Sequence, residues 1–188
     1  MPKAQKTQKS QNDADAIALL EADHRRVEGL FEQYEKADES DAKAALVLKI
    51  CTELCIHATV EEELLYPACE DIDDGALIDE AYVEHDGAKV LISELMGSEP
   101  DDDFYDAKVK VLSELIKHHV KEEEAPGEGL FAQARDAEID LRAIGKAITA
   151  RKEELKAEFA GGNLPPPKTR SYTGHELEQG EPVEGPAD

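Results

Sequence analysis

The sequence has no tryptophan, and only four phenylalanines and five tyrosines in 188 residues. So few aromatics beside abundant Ala, Leu, Glu and Lys weigh against sheet and for helix. Three cysteines, Cys51, Cys55 and Cys69, are too few for a disulfide framework, and they read as reduced thiols. Positive charge is short as well. Lys and Arg number 21 against 44 Asp and Glu, a net charge of −23. That balance excludes the basic surface that nucleic acid or an anionic membrane requires. No run approaches the ~18 apolar residues of a membrane span. The polar stretch Met1–Asp13, with Lys3, Lys6 and Lys9, lacks the apolar core of a secretory signal. The expected compartment is the cytoplasm. No Gly-rich phosphate loop is present, and no Ser or Cys nucleophile stands out beside a base.

What is present is helical periodicity. Residues 14–36, 41–63, 76–96 and 102–124 each carry an apolar stripe at about 100° per residue. Asp13 or Asp15 would cap the first helix. Pro67, Asp71–Gly75, Gly97–Asp101 and Pro126-Gly127 punctuate the rest. A fifth helix is expected over 131–159, with Ala137, Leu141, Ile144, Ile148 and Leu155 as its stripe, for packing or for a partner. The domain expectation is a flexible polar arm at 1–13, a helical domain at 14–160, and a disordered Gly/Pro/Glu-rich tail at 161–188.

Each of the first four helices carries one histidine in the centre of its apolar face: His24, His57, His85 and His119. His57 and His119 are each followed four positions later by a glutamate, Glu61 and Glu123. Residues four apart on a helix are side-chain neighbours. The two halves echo each other: a lone histidine on the first helix of a hairpin, then His-x-x-x-Glu on the second. Two such hairpins predict an all-α, up-down-up-down four-helix bundle with an additional C-terminal helix. Six unpaired ionisable side chains on apolar faces would be costly. A metal removes that cost, and a nitrogen and oxygen donor set favours iron, manganese, zinc or copper. Two His-x-x-x-Glu units and carboxylates able to bridge suggest two ions.

Asp23-His24, His57-Ala58-Thr59-Val60-Glu61-Glu62-Glu63-Leu64-Leu65-Tyr66-Pro67, Glu84-His85 and His118-His119-Val120-Lys121-Glu122-Glu123-Glu124 resemble the motifs of the hemerythrin-like family. More narrowly they resemble the bacterial hemerythrin HHE cation-binding domain, over roughly residues 14–135. The resemblance implies a non-haem di-iron centre, open to an oxo or hydroxo bridge. It implies His24, His57, Glu61, His85, His119 and Glu123 as ligands, Glu61 and Glu123 being the bridging candidates. It implies O₂, NO or peroxide as the small ligand, bound or sensed. Di-iron enzymes with ferroxidase or peroxide-decomposing activity, and an iron-responsive interaction module, stay open as alternatives.

Two departures from the family matter. Oxygen carriers have a second histidine four positions from the helix-3 histidine, and here those positions are Ala81 and Lys89. Water or another carboxylate, with Glu28 as one option, would complete the set. Ala125–Gly129 is inserted before Leu130-Phe131, which predicts a break just past the metal. His118 lies about 100° off the inward face and reads as solvent-facing or as a support behind the ligands, and His175 falls in the tail. Cys51 and Cys55 read as an outer packed pair, and Tyr34, Tyr66, Tyr82 and Tyr105 as packing residues within range of the site.

Overall fold

The computed structural model describes residues 14–162 and 164–172. The expected N-terminal arm and residues 173–188, His175 among them, lie outside the described residues. Helix α1 is Ala16–Tyr34, α2 Ser40–Val60, α3 Ala76–Met96, α4 Tyr105–Glu123, α5 Leu130–Asp136 and α6 Leu141–Glu158. No strand occurs among the described residues, and none of the helices is long and apolar enough to cross a membrane. The fold is the expected all-α bundle. Helix α1 packs on α2, α2 on α3, α3 on α4 and α4 on α1, which closes the ring.

Local chemistry sets the helix ends. Asp15 caps α1 by accepting from the Ala18 amide at 2.9 Å, and Asp140 caps α6 through Ala143 in the same way. Gly75 turns the chain into α3 at φ 82°, a conformation open to glycine. Helix α2 does not simply stop at Pro67. Proline has no amide hydrogen and its ring clashes with the carbonyl four residues back, so the α-helical pairing cannot run through it. Glu61–Leu65 widens into a π-helical turn, in which the Tyr66 amide donates to the Glu61 carbonyl, and a 3₁₀ turn Tyr66–Ala68 follows.

The expected fifth helix is two helices. Ala137 is extended (ψ 153°), so α5 ends at Asp136, and the Asp140 cap starts α6 afresh. Helix α6 packs across α1 and α2. A β-carbon on Gly145 would stand 2.6 Å from the Ala14 carbonyl oxygen, so glycine lets the two backbones touch. Helix α4 starts at Tyr105 rather than near Asp102, because Glu99 and Asp102 close a turn ahead of it.

The early part of the stretch read as a disordered tail is placed against the bundle. Leu164 is half-buried against both core clusters. Asp86, wholly buried on α3, accepts from the Arg170 amide (2.7 Å), the Ser171 amide (2.6 Å) and the Ser171 hydroxyl (2.7 Å). The Arg170 guanidinium lies 4.2 Å over the Tyr82 ring. Composition could not show this, because one buried carboxylate supplies the anchor.

Two apolar clusters fill the bundle. Ile17, Leu20, Val60, Leu65, Ile78 and Leu130 belong to one, and Val27, Phe31, Ile50, Leu54, Ile92 and Leu112 to the other. Along each of α1, α2 and α3 the histidine falls where one cluster gives way to the other. The polar layer is therefore enclosed by apolar packing on both sides.

Candidate metal centre

The four histidines and two glutamates converge. All six are buried, at no more than 5 % exposure. His24 Nε2 lies 3.1 Å from His57 Nε2, and His85 Nε2 lies 3.3 Å from His119 Nε2. Donor atoms of His24, His57, Glu61 and Glu123 fall within 4.8 Å of one another, as do those of Glu61, His85 and His119. Glu61 belongs to both groups. Its Oε2 stands 3.1 Å from His57 and 3.4 Å from His85. Glu123 Oε2 stands 3.5 Å from His24 and 3.4 Å from His119, so it too spans the pairs.

Behind each imidazole is a carboxylate. Nδ1 of His24 meets Glu124 at 2.7 Å, Nδ1 of His85 meets Glu62 at 2.9 Å and Nδ1 of His119 meets Glu84 at 2.8 Å. Asp23 stands 3.6 Å from Nδ1 of His57, which makes no hydrogen bond. The pattern has two-fold symmetry. The acid preceding the first histidine of each hairpin (Asp23, Glu84) serves the second histidine of the same hairpin. The acid following each inward glutamate (Glu62, Glu124) serves the other hairpin. A base backs every acid in turn: Arg25 at Glu124, Lys152 at Asp23, Lys89 at Glu62 and His118 at Glu84. Carboxylates of this kind fix the tautomer and orient the ring toward an ion.

This donor set fits a metal. A proton held at Nδ1 leaves the Nε2 lone pair facing inward, where pairs of lone pairs meet at 3.1 and 3.3 Å. Two nitrogens bound to one ion at about 2.1 Å and at right angles would stand roughly 3 Å apart. Glu61 Oε1 and Glu123 Oε2 are buried without a hydrogen-bond partner, a state that is costly unless something else satisfies it. Protonation tells the same story. Burial drives His24 down to about 4, helped by the adjacent His57. Burial also acts to lower His57, but Glu61 and Asp23 outweigh it and hold His57 at about 10. Burial, reinforced by Glu61, pushes Glu123 up to about 8. Burial acts to raise Glu61 too, yet His57 and His85 prevail and keep it well below the ordinary carboxylate range. Without a metal the cluster must retain protons, and cations would take their place.

Among the tyrosines, Tyr66 reaches the centre. Its hydroxyl lies 3.1 Å from Glu123 Oε1 and 3.4 Å from both Glu61 Oε2 and His85 Nε2. The π-helical turn brings it there, since i→i+5 pairing rotates residue 66 toward the face of Glu61. Tyr82 packs edge-on to Tyr66, Tyr34 bonds Asp106, and Tyr105 is in the core. Glu28 is exposed and paired with Arg25, so it is no part of the cluster. His118 is exposed, as expected. Cys51 is in the core rather than outside it, and burial pushes its thiol up to about 12 and that of Cys55 to about 11. The expected break at Ala125–Gly129 is present. It turns the chain so that Phe131 stacks on His24, with ring centroids 5.7 Å apart, which closes that end of the cluster.

A cavity of about 670 Å³ leads to the centre. His24, His57 and His85 line its inner end, Leu54 and Ile92 its walls, and Leu164 of the docked segment its outer side.

Residues 15–126 match the family described as Hemerythrin HHE cation binding domain. Among solved structures, a hemerythrin HHE cation binding domain-containing protein from Mycobacterium kansasii superposes with a TM-score of 0.67 at 24 % identity. That likeness covers 80 % of this chain and 95 % of the other, and it shows the fold. A curated relative, a DNA nickase from Nostoc sp. (strain PCC 7120 / SAG 25.82 / UTEX 2576), is 26 % identical over 124 residues, or 66 % of this chain. The match spans about a third (34 %) of that relative's length.

Proposed function

Since this chain belongs to the hemerythrin HHE cation binding domain family, we propose that its cation centre is a non-haem di-iron site that binds or senses O₂, NO or peroxide in the cytoplasm. His24, His57, Glu61 and Glu123 would hold one ion, and His85, His119, Glu61 and Glu123 the other, with the two carboxylates between them. Ferrous iron would supply electrons to a small oxidant. The observation that carries the reading is Glu61, common to two buried histidine pairs. Iron is favoured by imidazole and carboxylate donors with open positions.

The chain's own residues do the rest. Glu124, Glu62 and Glu84 hold a proton on Nδ1 of His24, His85 and His119 and turn each Nε2 inward, while Asp23 stands behind His57. Tyr66 presents a hydroxyl at Glu123 and Glu61, where it can donate a hydrogen bond. Leu54 and Ile92 line the cavity beside the histidines and leave room for a small molecule. The three cysteines are free thiols, which suits a reducing compartment. Nucleic acid is not the partner this surface suits at a net charge of −23.

Iron analysis after anaerobic purification tests the reading. About two irons per chain are expected, with an optical spectrum that changes on air exposure. Metal-free protein of equal stability would overturn it. An enzymatic reading, ferroxidase or peroxide decomposition, gains support from Tyr66, a phenol that can be oxidised beside the cluster. Turnover of Fe(II) or peroxide, compared with Glu61→Ala, decides between binding and catalysis.

A further inference from the structure

Glu84 has one oxygen in the centre's supporting layer and the other outside it. Its Oε2 holds His119 Nδ1 at 2.8 Å. Its Oε1 is buried, makes no hydrogen bond, and faces His118 Nε2 at 3.5 Å, on a side chain only 10 % exposed. His118 Nε2 also lies 3.2 Å from Glu122 Oε1. Glu80, one turn before Glu84 on α3, brings an oxygen within 4.8 Å of the His118 and Glu122 donors. Two residues four apart on α3 thus face two residues four apart on α4, and neighbours at that spacing share one helix face. The result is an imidazole and two carboxylates, from His118, Glu80 and Glu122, around one point, with the buried Glu84 Oε1 beside the imidazole, and the group is solvent-accessible through the exposed Glu80 and His118.

We infer that Glu80, Glu84, His118 and Glu122 form a second cation site, at the surface, for a divalent first-row metal ion, and that this site feeds the buried centre. One imidazole with carboxylates selects ions such as Fe²⁺, Mn²⁺ or Zn²⁺ over Mg²⁺ or Ca²⁺. The unpartnered Glu84 oxygen points to a ligand. Exposed acids alone would be solvated, but this atom has neither water access nor a hydrogen bond. A small cavity of about 10 Å³ lies between the two sites, with Glu80, Glu84 and Glu122 on its outer side and His119 and Glu123 on its inner side. That is close to the room one water needs, so an ion passes only as the glutamates move with it. The net charge of −23 raises the local cation concentration at such an entrance.

The feeding role rests on the reading of the centre, while the surface site does not. The full chain, metal-free and anaerobic, is dialysed against Mn²⁺ and the bound ions counted, for wild type and for Glu80→Gln/Glu122→Gln. The wild type should hold one ion more than the variant, with affinity for that ion at least about tenfold weaker in the variant. His118→Ala should give the same loss. Glu84 is left intact because it also orients His119. Equal counts in wild type and variants, with helix content unchanged, overturn the surface site, and this comparison holds whatever the centre binds. Fe²⁺ loading is then followed by absorbance. Slower filling of the buried centre in Glu80→Gln/Glu122→Gln, to the same final absorbance of that centre, supports the feeding role, and equal rates overturn it.

Discussion

Lys152 on the last helix forms a buried ion pair with Asp23, the carboxylate that stands behind His57. Helix α6 lies beyond the region that matches the family, yet it reaches the centre through this contact. Burial acts to raise Asp23, but His57 and then Lys152 outweigh it and hold it low. Lys152→Met should strand a buried carboxylate, at a cost of about 3–5 kcal/mol. Chemical denaturation of the metal-free protein measures it. Metal affinity should also fall by about 10–100-fold, because the group orienting His57 is disturbed. Lys152→Arg should recover part of both.

Glu61 belongs to both histidine groups, and Glu123 spans the two pairs as well. Glu61→Ala is expected to lose the bound metal, measured by metal analysis after anaerobic loading. Glu28→Ala should lose neither, since Glu28 sits on the surface with Arg25. Removing metal from the wild type with a chelator should lower its melting temperature, because an ion that binds only the folded state stabilises it by mass action.

Gly145 and Gly29 should respond in opposite directions to alanine. A β-carbon at 145 would meet Ala14 O at 2.6 Å and Ala16 N at 2.9 Å, both backbone atoms. Gly145→Ala should destabilise by about 1–3 kcal/mol through overpacking. Nothing lies within 4 Å of a β-carbon at Gly29. Gly29→Ala should stabilise by about 0.5–1 kcal/mol, the helix propensity difference. Urea midpoints of the two variants check both signs.

Ser171 gives two of the three hydrogen bonds that hold the docked segment on Asp86. Ser171→Ala removes the hydroxyl and leaves the amide. Hydrogen exchange of residues 164–172 should quicken while that of α3 stays slow. Asp86→Asn should quicken it further, because the hydrogen bonds to it lose their charged acceptor.

Asp106 accepts from Tyr34 at 2.5 Å and from Lys43 at 2.9 Å, tying α4 to α1 and α2. The Tyr34 hydroxyl, then Lys43, hold its carboxyl below the ordinary value of 3.8. A lowered folded-state value means that the clasp contributes fully above pH 3.8 and is lost as the pH falls through the folded value. Tyr34→Phe should flatten the acid limb of stability in that range. The effect should be small, because the carboxylate is largely solvent-exposed and its ion pair is screened.

Much of this was legible in the residues. The four-helix pattern and the six inward side chains follow from periodicity alone, and α3 has the expected bounds of Ala76–Met96. The supporting acids were visible but unread: Asp23 and Glu84 precede a central histidine, and Glu62 and Glu124 follow a central glutamate. Which histidine each serves depends on helix packing, which adjacency in the chain does not encode. Tyr66 was hidden by the assumption of α-helical spacing, although Pro67 was the sign that the spacing must change. The break in the fifth helix was masked by a stripe that continues through Ala137, while the Asp140 cap marked the restart. The docking of residues 164–172 depends on a single buried aspartate 84 positions before Arg170 and had no local signature.

The crossed arrangement of acids behind the histidines makes the two hairpins interdependent. Each hairpin donates one supporting acid to itself and one to its neighbour. Two residues break that symmetry. Tyr66 has its formal counterpart in Glu128, five positions after Glu123, and Lys152 supports only the first half. Any difference between the two histidine pairs is therefore written in those two side chains.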